Sequence, residues 1–339
     1  MTTQPLRVGV IGVGMMGADH AERLATKIAN GTLVAVADPD EARARELAAG
    51  YPGVEVYADP LDLIAADGVD AVLIASPGFV HEPQLMACLE RGKPVLCEKP
   101  LTMDSESALR VVEAERVGGR PLISVGFMRR FDPEYARMKE LLDSGALGPL
   151  LSAHQVHRNK VVPDTFRSEM VVRDAMVHEV DVARFLFGEE IVSIQVITPR
   201  STTAAPEGVL DPQISVFTLA DGAVVTNQIL ANSQVGYEVR CEVLGERGSV
   251  IAGRPWSDLY TTGLNGDAGT WGGVADPDFR VRFERAYDLE VQSWVDAARR
   301  GETSGATAYD GYASTVVCTA GMESLKTGEP VDIKLEKPA

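Results

Sequence analysis

Three ionisable residues, Asp174, His178 and Asp181, lie among apolar residues in the stretch RDAMVHEVDVARFL (173–186). On a helix, residues three or four positions apart share a face, so these side chains can meet. A histidine, with a pKa of about 6.5, can accept a proton near neutral pH, and a neighbouring carboxylate can orient its ring. The stretch predicts an acid–base centre with His178 as the general base. It leaves open whether Asp174 or Asp181 is the partner of that base.

The residue types bear on two other interpretations of this stretch. A zinc site of the HExxH kind needs a second histidine four residues after the first, and Val182 stands at that position. No metal site is therefore predicted. Alternatively, Asp174 could be a helix N-cap beside an ordinary buried histidine, because aspartate is a preferred capping residue.

A glycine-rich turn, GVGMMG, lies between the apolar run LRVGVI and a helical segment. In this pattern Gly12 permits a tight turn, Gly14 lets the backbone approach a pyrophosphate, and Gly17 allows close helix–strand packing. Asp38 ends the next apolar run, where a carboxylate can bind ribose hydroxyls and would repel a 2′-phosphate. The pattern predicts an NAD site, with NAD favoured over NADP. Asp38 could also be part of a turn that caps the following helix.

Lys99 directly follows the apolar run PVLCE. Ligands of doubly wound sheets bind at the carboxyl ends of the strands, where this lysine is expected. Its ammonium group could hydrogen-bond a substrate hydroxyl and stabilise alkoxide character as a hydride leaves. The alternative is a surface lysine that pairs with Glu98.

The elements that position these residues follow from hydrophobic periodicity. Strands are predicted at LRVGVI, LVAVAD, DAVLIAS, PVLCEK and LISVGF, and helices near 15–29, 40–50, 81–92 and 104–118. From about residue 151, longer strand-like segments follow one another: LLSAHQVHR, IVSIQVITP, DPQISVFTLA, AVVTNQILAN, YEVRCEVLG and DLYTTG (258–263). Two late helices are predicted within 280–301 and 308–328.

These patterns predict an α/β protein with two domains. Residues 1–126 are expected to form a Rossmann NAD-binding domain with a doubly wound parallel sheet. Residues 127–339 are expected to form an α+β domain with a large, mostly antiparallel open sheet, for substrate binding and oligomerisation.

Composition narrows the classes of partner. Lys and Arg number 32 against 49 Asp and Glu in 339 residues, a net charge of −17 with no basic arm, which argues against nucleic-acid binding. The four cysteines are widely spaced, which indicates reduced, structural thiols. The N-terminus lacks the pattern of a signal peptide, and no apolar run approaches the roughly 20 residues that span a membrane. A cytoplasmic protein is expected, with no membrane partner.

The motifs GVGMMG, ASPGFVHEP (75–83), CEKPL (97–101) and RDAMVHEVDVARFL together resemble the Gfo/Idh/MocA oxidoreductases. HRN (157–159), DPQISV (211–216), GYEVRCEVLGERG (236–248) and RFERAYDLEVQ (282–292) resemble the bacterial inositol 2-dehydrogenases within that family. The resemblance covers nearly the whole chain. It implies a homotetramer whose open sheets form the contacts, and NAD-dependent oxidation of myo-inositol to 2-keto-myo-inositol (scyllo-inosose). The alternatives are another cyclic polyol or sugar, such as scyllo-inositol or an aldose, or a non-catalytic sugar- or NAD-binding regulator.

The resemblance also implies roles for individual residues. Lys99, Asp174 and His178 correspond to the catalytic positions, and the Lys99–Pro100 bond is often cis in the family. With the glycine pattern, the cofactor-binding positions are Gly12, Gly14, Met15, Met16, Gly17, Asp38, Ser76, Pro77, His81 and Glu98. The substrate-binding positions are Met128, Arg129, His157, Asn159, Tyr237, Phe279 and Tyr287. Phe279 stands where relatives often carry tryptophan.

Overall fold

The computed structural model describes residues 4–253 and 276–336, which divide into two compact units. Within the described residues, the first unit comprises the chain up to Phe131 together with Ala286–Thr315 and Glu336. The second comprises Asp132–Arg285 and Val316–Leu335. The domain boundary at residues 126 and 127 stays a prediction, and the strand predicted at 258–263 lies outside the described residues.

The first unit alternates strands and helices, as the sequence predicts for a Rossmann fold. Its elements before residue 131 are β1 (Leu6–Ile11), α1 (Met15–Thr26), β2 (Gly31–Ala37), α2 (Glu41–Ala49), β3 (Glu55–Tyr57), α3 (Pro60–Ala65), β4 (Ala71–Ile74), α4 (His81–Arg91), β5 (Val95–Glu98), α5 (Ser105–Val117) and β6 (Ile123–Gly126). These six strands pair in parallel in the order β6-β5-β4-β1-β2-β3. All residues of β4, β5 and β6 are buried, which is expected where helices cover both faces of a sheet.

The second unit is built on an open sheet. Its elements before residue 283 are α6 (Pro133–Asp143), β7 (Leu150–Arg158), α7 (Ser168–Met170), α8 (Val177–Phe187), β8 (Ile191–Ile197), β9 (Gln213–Leu219), β10 (Val224–Leu230), β11 (Glu238–Gly245), β12 (Gly248–Ala252) and α9 (Phe279–Arg282). All pairs of this sheet are antiparallel except β7 with β10, which confirms the predicted, mostly antiparallel sheet. The strand order is β12-β11-β7-β10-β9-β8-β14, where β14 is Val331–Asp332.

The last part of the chain contributes to both units. It forms α10 (Glu284–Arg300), β13 (Ala306–Thr307) and α11 (Ala308–Thr327). β13 adds an antiparallel edge strand beside β6. Val291, Trp294 and Val295 of α10 join the hydrophobic core that β1, α1 and β4 form in the first unit. This late helix is therefore part of the packing that supports the glycine turn.

Candidate active site

The glycine turn between β1 and α1 forms an open cradle. Gly12 has a φ of +81°, and a Cβ on Gly17 would overlap the carbonyl oxygen of Gly12. Around Gly14, in contrast, a Cβ would meet no atom of the described residues within 4 Å. No side chain caps the start of α1, so its first N–H groups can bind a phosphate. Met15 and Met16 lie in this first turn. The open cradle and the uncapped helix start fit the pyrophosphate of a dinucleotide.

Asp38 lies directly after β2 and faces the glycine turn. Its Oδ2 accepts the N–H of Val13 at 2.9 Å, and its Oδ1 accepts bonds from the N–H of Asp40 and the guanidinium of Arg43. Burial by itself would raise the pKa of Asp38, but these hydrogen bonds outweigh it and lower the pKa. The carboxylate is therefore charged at neutral pH and suited to a ribose hydroxyl. The side chain that caps α2 is that of Asp40.

The loop after β4 carries Ser76 and Pro77 and is held by a buried histidine. His81 lies between two carbonyl oxygens, 2.7 Å from Ser76 through Nε2 and 3.0 Å from Pro100 through Nδ1. Burial lowers the pKa of His81, against the opposing effect of these carbonyl groups. Ser76 Oγ donates to Gln84 at 2.7 Å. His81 thus connects the loop after β4 with the loop after β5, where Lys99 lies.

Glu98 and Lys99 end β5 at the carboxyl edge of the parallel sheet. Glu98 Oε1 lies 2.8 Å from Nε2 of the buried His20 on α1, and its Oε2 accepts the backbone N–H of Lys99 at 3.2 Å. Burial would raise the pKa of Glu98, but the hydrogen bond and charge of His20 and the charge of Lys99 outweigh it and lower the pKa. The Lys99–Pro100 peptide is cis, as the family resemblance implies. An ionised Glu98 therefore holds the backbone of Lys99 to the cofactor helix.

Three of the predicted substrate-binding residues also belong to the first unit. Met128 and Arg129 are buried in a 3₁₀ turn, Met128–Phe131, close after the carboxyl end of β6. Tyr287 lies on α10, where its ring contacts the ring of His20 at a centroid distance of 5.7 Å and the guanidinium of Arg23 at 5.2 Å. Tyr287 therefore packs against the cofactor helix.

Asp174 and His178 lie in the second unit at the start of α8. Asp174 is part of a π-helical turn, Val171–Ala175, and no side chain caps α8, so the N-cap interpretation of Asp174 does not apply. Its carboxylate accepts two hydrogen bonds from the Arg173 guanidinium, at 2.7 and 2.8 Å. His178 is buried in the first turn of α8, and Asp181 is buried one turn later.

The second unit brings His178 together with three predicted substrate-binding residues, His157, Tyr237 and Phe279. The rings of His157 and His178 meet edge to face at a centroid distance of 6.5 Å, and His157 meets Tyr237 at 5.5 Å. Tyr237 in turn contacts Phe279 at 6.3 Å and Phe283 at 6.1 Å. This cluster combines two imidazoles with a phenol against apolar rings.

Asn159 follows His157 at the end of β7. Its backbone N–H donates to Leu230 at 3.0 Å, and its carbonyl oxygen accepts the N–H of Ser233 at 2.9 Å. These bonds fix the backbone of Asn159 at the end of the strand that carries His157.

Glu179 is a functional candidate that the sequence did not single out. It is fully buried on α8, and its carboxylate lies 3.2 Å from Nδ1 of His157. Its carbonyl oxygen accepts the side-chain amide of Gln155, which shares a face of β7 with His157. A buried carboxylate at Nδ1 orients the imidazole ring. The available signal was an acidic residue directly after His178 in a stretch rich in apolar residues.

The described residues contain neither a metal-binding cluster nor a membrane-spanning helix. No group of three or more His, Cys, Asp or Glu there could hold a metal ion. None of the helices described is long and apolar enough to cross a membrane.

Comparison with known proteins places the two units in one family. Residues 6–127 match the model of an oxidoreductase family with an NAD-binding Rossmann fold, and residues 135–251 match the GFO/IDH/MocA C-terminal domain. The chain belongs to the Gfo/Idh/MocA oxidoreductase family. This confirms the predicted resemblance, the Rossmann fold and NAD as the cofactor.

Relatives of similar length are enzymes that act on inositols. The chain is 52% identical to an inositol 2-dehydrogenase of Mycolicibacterium smegmatis, over 98% of both chains. It is 50% identical to inositol 2-dehydrogenase 4 of Saccharopolyspora erythraea, over 100% of this chain and 99% of the other. Myo-inositol dehydrogenase of Lactobacillus casei, crystallised with NAD(H) and myo-inositol, is 33% identical with a TM-score of 0.91 over 98% of both chains. Scyllo-inositol dehydrogenase of the same organism, with NAD(H) and scyllo-inositol, is 26% identical with a TM-score of 0.86, over 97% of this chain and 99% of the other.

Proposed function

We propose that this oxidoreductase oxidises myo-inositol to 2-keto-myo-inositol (scyllo-inosose) with NAD. The observation that carries the proposal is the similarity to inositol 2-dehydrogenases over almost the full chain, at about half of all positions. The cluster of His157, His178 and Tyr237 supports it, because a ring with many hydroxyls needs several donors and acceptors that converge.

In the proposed reaction, His178 accepts the proton of the hydroxyl at the carbon that becomes a ketone. When bound, NAD supplies the acceptor for the hydride that leaves the same carbon. Asp174 stabilises the imidazolium that forms on His178. The ammonium of Lys99 stabilises negative charge that develops on the hydroxyl oxygen. One hydride and one proton leave the alcohol, which becomes a ketone.

The remaining site residues have binding roles in this proposal. The cofactor is held by Gly12, Gly14, Met15, Met16, Gly17, Asp38, Ser76, Pro77, His81 and Glu98. The polyol is bound by Met128, Arg129, His157, Asn159, Tyr237, Phe279 and Tyr287.

We further propose that the enzyme is a cytoplasmic homotetramer. One face of the second sheet carries half-exposed apolar side chains from several strands, among them Ile197, Leu244 and Ile251. A groove of about 500 Å³ lies on the same face, lined by His154, Arg240 and Glu242 among others. Partly exposed apolar area of this kind is typical of subunit contacts. The four cysteines are buried thiols, as expected in a reducing compartment.

A panel of substrates tests the proposed function. Formation of NADH from NAD, or of NADPH from NADP, is measured by absorbance with myo-inositol, scyllo-inositol and aldoses. We expect the highest kcat/KM for myo-inositol with NAD. A higher value for scyllo-inositol or an aldose would reassign the substrate within the same chemistry. No NADH with any of them, despite measurable NAD binding, would favour a non-catalytic regulator.

A further inference from the structure

Arg43, a residue on α2 to which the sequence assigned no role, contacts the carboxylate at the adenosine end of the cofactor site. We propose that Arg43 is a specificity-determining residue for the cofactor. The Arg43 guanidinium can bind a ribose 2′-phosphate, but Asp38 holds it in an ion pair. NAD is therefore favoured as long as Asp38 is present. The inference concerns only the cofactor and does not depend on which polyol is oxidised.

The ion pair joins a buried carboxylate to an exposed guanidinium. Arg43 Nη2 lies 2.7 Å from Asp38 Oδ1. The side chain of Asp38 is 3% exposed, whereas that of Arg43 is 51% exposed. Asp38 is held on both oxygens by backbone N–H groups, those of Val13 and Asp40. The guanidinium can therefore turn toward a ligand while the carboxylate cannot turn away.

The hydrogen bonds of Asp38 leave little room for a larger ligand. A carboxylate has about four lone-pair positions, and the N–H of Val13, the N–H of Asp40 and the Arg43 guanidinium occupy three of them. One position on Oδ2 remains for a ribose hydroxyl. A 2′-phosphate would bring negative charge against an ionised, immobile carboxylate, which is repulsive.

The same phosphate would be attracted by Arg43. A guanidinium presents a planar fork of donors that binds phosphate through two parallel hydrogen bonds. While Asp38 is present, part of this capacity and charge is used within the ion pair. Removing the Asp38 carboxylate eliminates the repulsion and releases a cation at the same place. One substitution should therefore change the preference.

The chain offers a matched control on the same helix. Arg45 is two residues beyond Arg43, and residues two positions apart on a helix do not face each other. Arg45 pairs with Glu41 at 2.6 Å and is 68% exposed. Arg45 carries the same guanidinium group and lies on the same helix as Arg43. Among the bonds described, it makes none to Asp38.

Calorimetric titration with two probes, 5′-AMP and adenosine 2′,5′-bisphosphate, tests the proposal without catalysis. The proteins are the wild type, Asp38→Ala, Asp38→Ala/Arg43→Ala and Asp38→Ala/Arg45→Ala. We expect the wild type to favour 5′-AMP. Asp38→Ala should shift the ratio of the two Kd values toward the bisphosphate by about tenfold or more, the scale of a charge-assisted hydrogen bond. Adding Arg43→Ala should abolish the shift, and adding Arg45→Ala should retain it.

Two results would overturn the proposal: no shift in Asp38→Ala, or a shift that persists without Arg43. Thermal unfolding without ligand checks that each variant is folded. If Asp38→Ala does not fold, Asp38→Asn replaces it, because the amide keeps the shape and one acceptor for the N–H of Val13. The ratio of the two Kd values is then measured for Asp38→Asn alone, with Arg43→Ala and with Arg45→Ala. The same outcomes support or overturn the proposal.

Discussion

Two histidines of the second unit differ in the groups that hold them. His157 has the buried carboxylate of Glu179 at Nδ1, while the carboxylate proposed for His178, that of Asp174, accepts two hydrogen bonds from Arg173. A histidine fixed by a buried carboxylate is well suited to orient a substrate. We therefore expect different kinetic effects when each histidine is removed.

Replacing His178 by alanine should lower kcat by about 10²–10⁴, the contribution of a general base. The loss should shrink as pH rises, because hydroxide can remove the proton without the imidazole. His157→Ala should mainly raise KM for the polyol. NADH formation measured across pH distinguishes the two effects.

His154→Ala is the control for this pair once light scattering shows that its mass equals that of the wild type, because His154 lies on the same strand as His157 but is exposed on the face of the proposed subunit contact, where it hydrogen-bonds Thr226. It should leave both kcat and its pH profile unchanged. A pH-dependent loss of kcat in His157→Ala instead of His178→Ala would move the base to His157.

The sequence predicted the residue types of the site better than their pairing. The acid–base stretch and the glycine turn were recognisable because their spacing is local. Glu179, His20 and Arg43 were missed because their roles depend on partners that lie 22, 78 and 5 residues away and on the direction in which each side chain points. The π-helical turn around Asp174 was missed because a helical period of apolar residues does not distinguish it from an α-helix.

At the scale of elements, the contact of α1 with β1 and the loop after β4 determines the shape of the cofactor cradle. A Cβ on Gly14 would meet open space in the described structure, whereas one on Gly17 would overlap the backbone of Gly12. The two glycines should therefore respond differently to the same substitution.

Gly14→Ala should keep the thermal stability of the ligand-free protein but weaken NAD binding strongly, because the methyl group occupies the cradle. Gly17→Ala should reduce both, since overpacking of this kind costs about 1–3 kcal/mol and pushes α1 from β1. Thermal unfolding and NADH fluorescence titration measure the two properties. Equal loss of stability in both variants would contradict this description of the cradle.

A second element-scale prediction concerns the contact between His20 on α1 and Glu98 at the end of β5. The folded pKa of Glu98 lies below its ordinary value, so its stabilising effect is complete above that value and is lost as pH falls through the lowered pKa. The free energy of unfolding of the wild type relative to Glu98→Gln should therefore decrease as the pH falls through the ordinary pKa of a glutamate and on through the lowered pKa of Glu98. Urea denaturation at several pH values measures this difference.

Glu115 provides a control of opposite sign. Burial raises its pKa, although it accepts the N–H groups of Leu122 and Ile123. Its protonated form is therefore favoured by folding, and the wild type should gain stability relative to Glu115→Gln as pH falls through the raised pKa. If the stability of the wild type relative to each of the two variants changed in the same direction as pH falls, Glu98 would not be held as a carboxylate by His20.

Element positions were predicted where strands or helices were long and regular. All five predicted strands of the first unit lie at β1, β2, β4, β5 and β6. β3 was missed because it has only three residues, and β13 and β14 because they have two. α6 was also missed, although Asp132 as N-cap and Pro133 in the first turn are typical of a helix start.

At the scale of the whole molecule, the sequence predicts fold classes but not how distant segments combine. The order of strands in each sheet follows from contacts between residues far apart, and no local pattern reports them. The packing of α10 on the first unit is one such contact. Along each strand of an open sheet, the residues on the outer face alternate with the core residues.

The outer face of the second sheet should mediate the proposed homotetramer. Leu244, which is 44% exposed on that face, is central to the test, because a charge there would be buried in a subunit contact. Leu244→Glu should therefore dissociate the assembly, whereas Val117→Glu, at an apolar position of α5 that is 78% exposed, should not. Light scattering after size-exclusion chromatography should give about four times the chain mass for the wild type and Val117→Glu, and a smaller mass for Leu244→Glu. A tetramer that survives Leu244→Glu would mean that the subunits meet elsewhere.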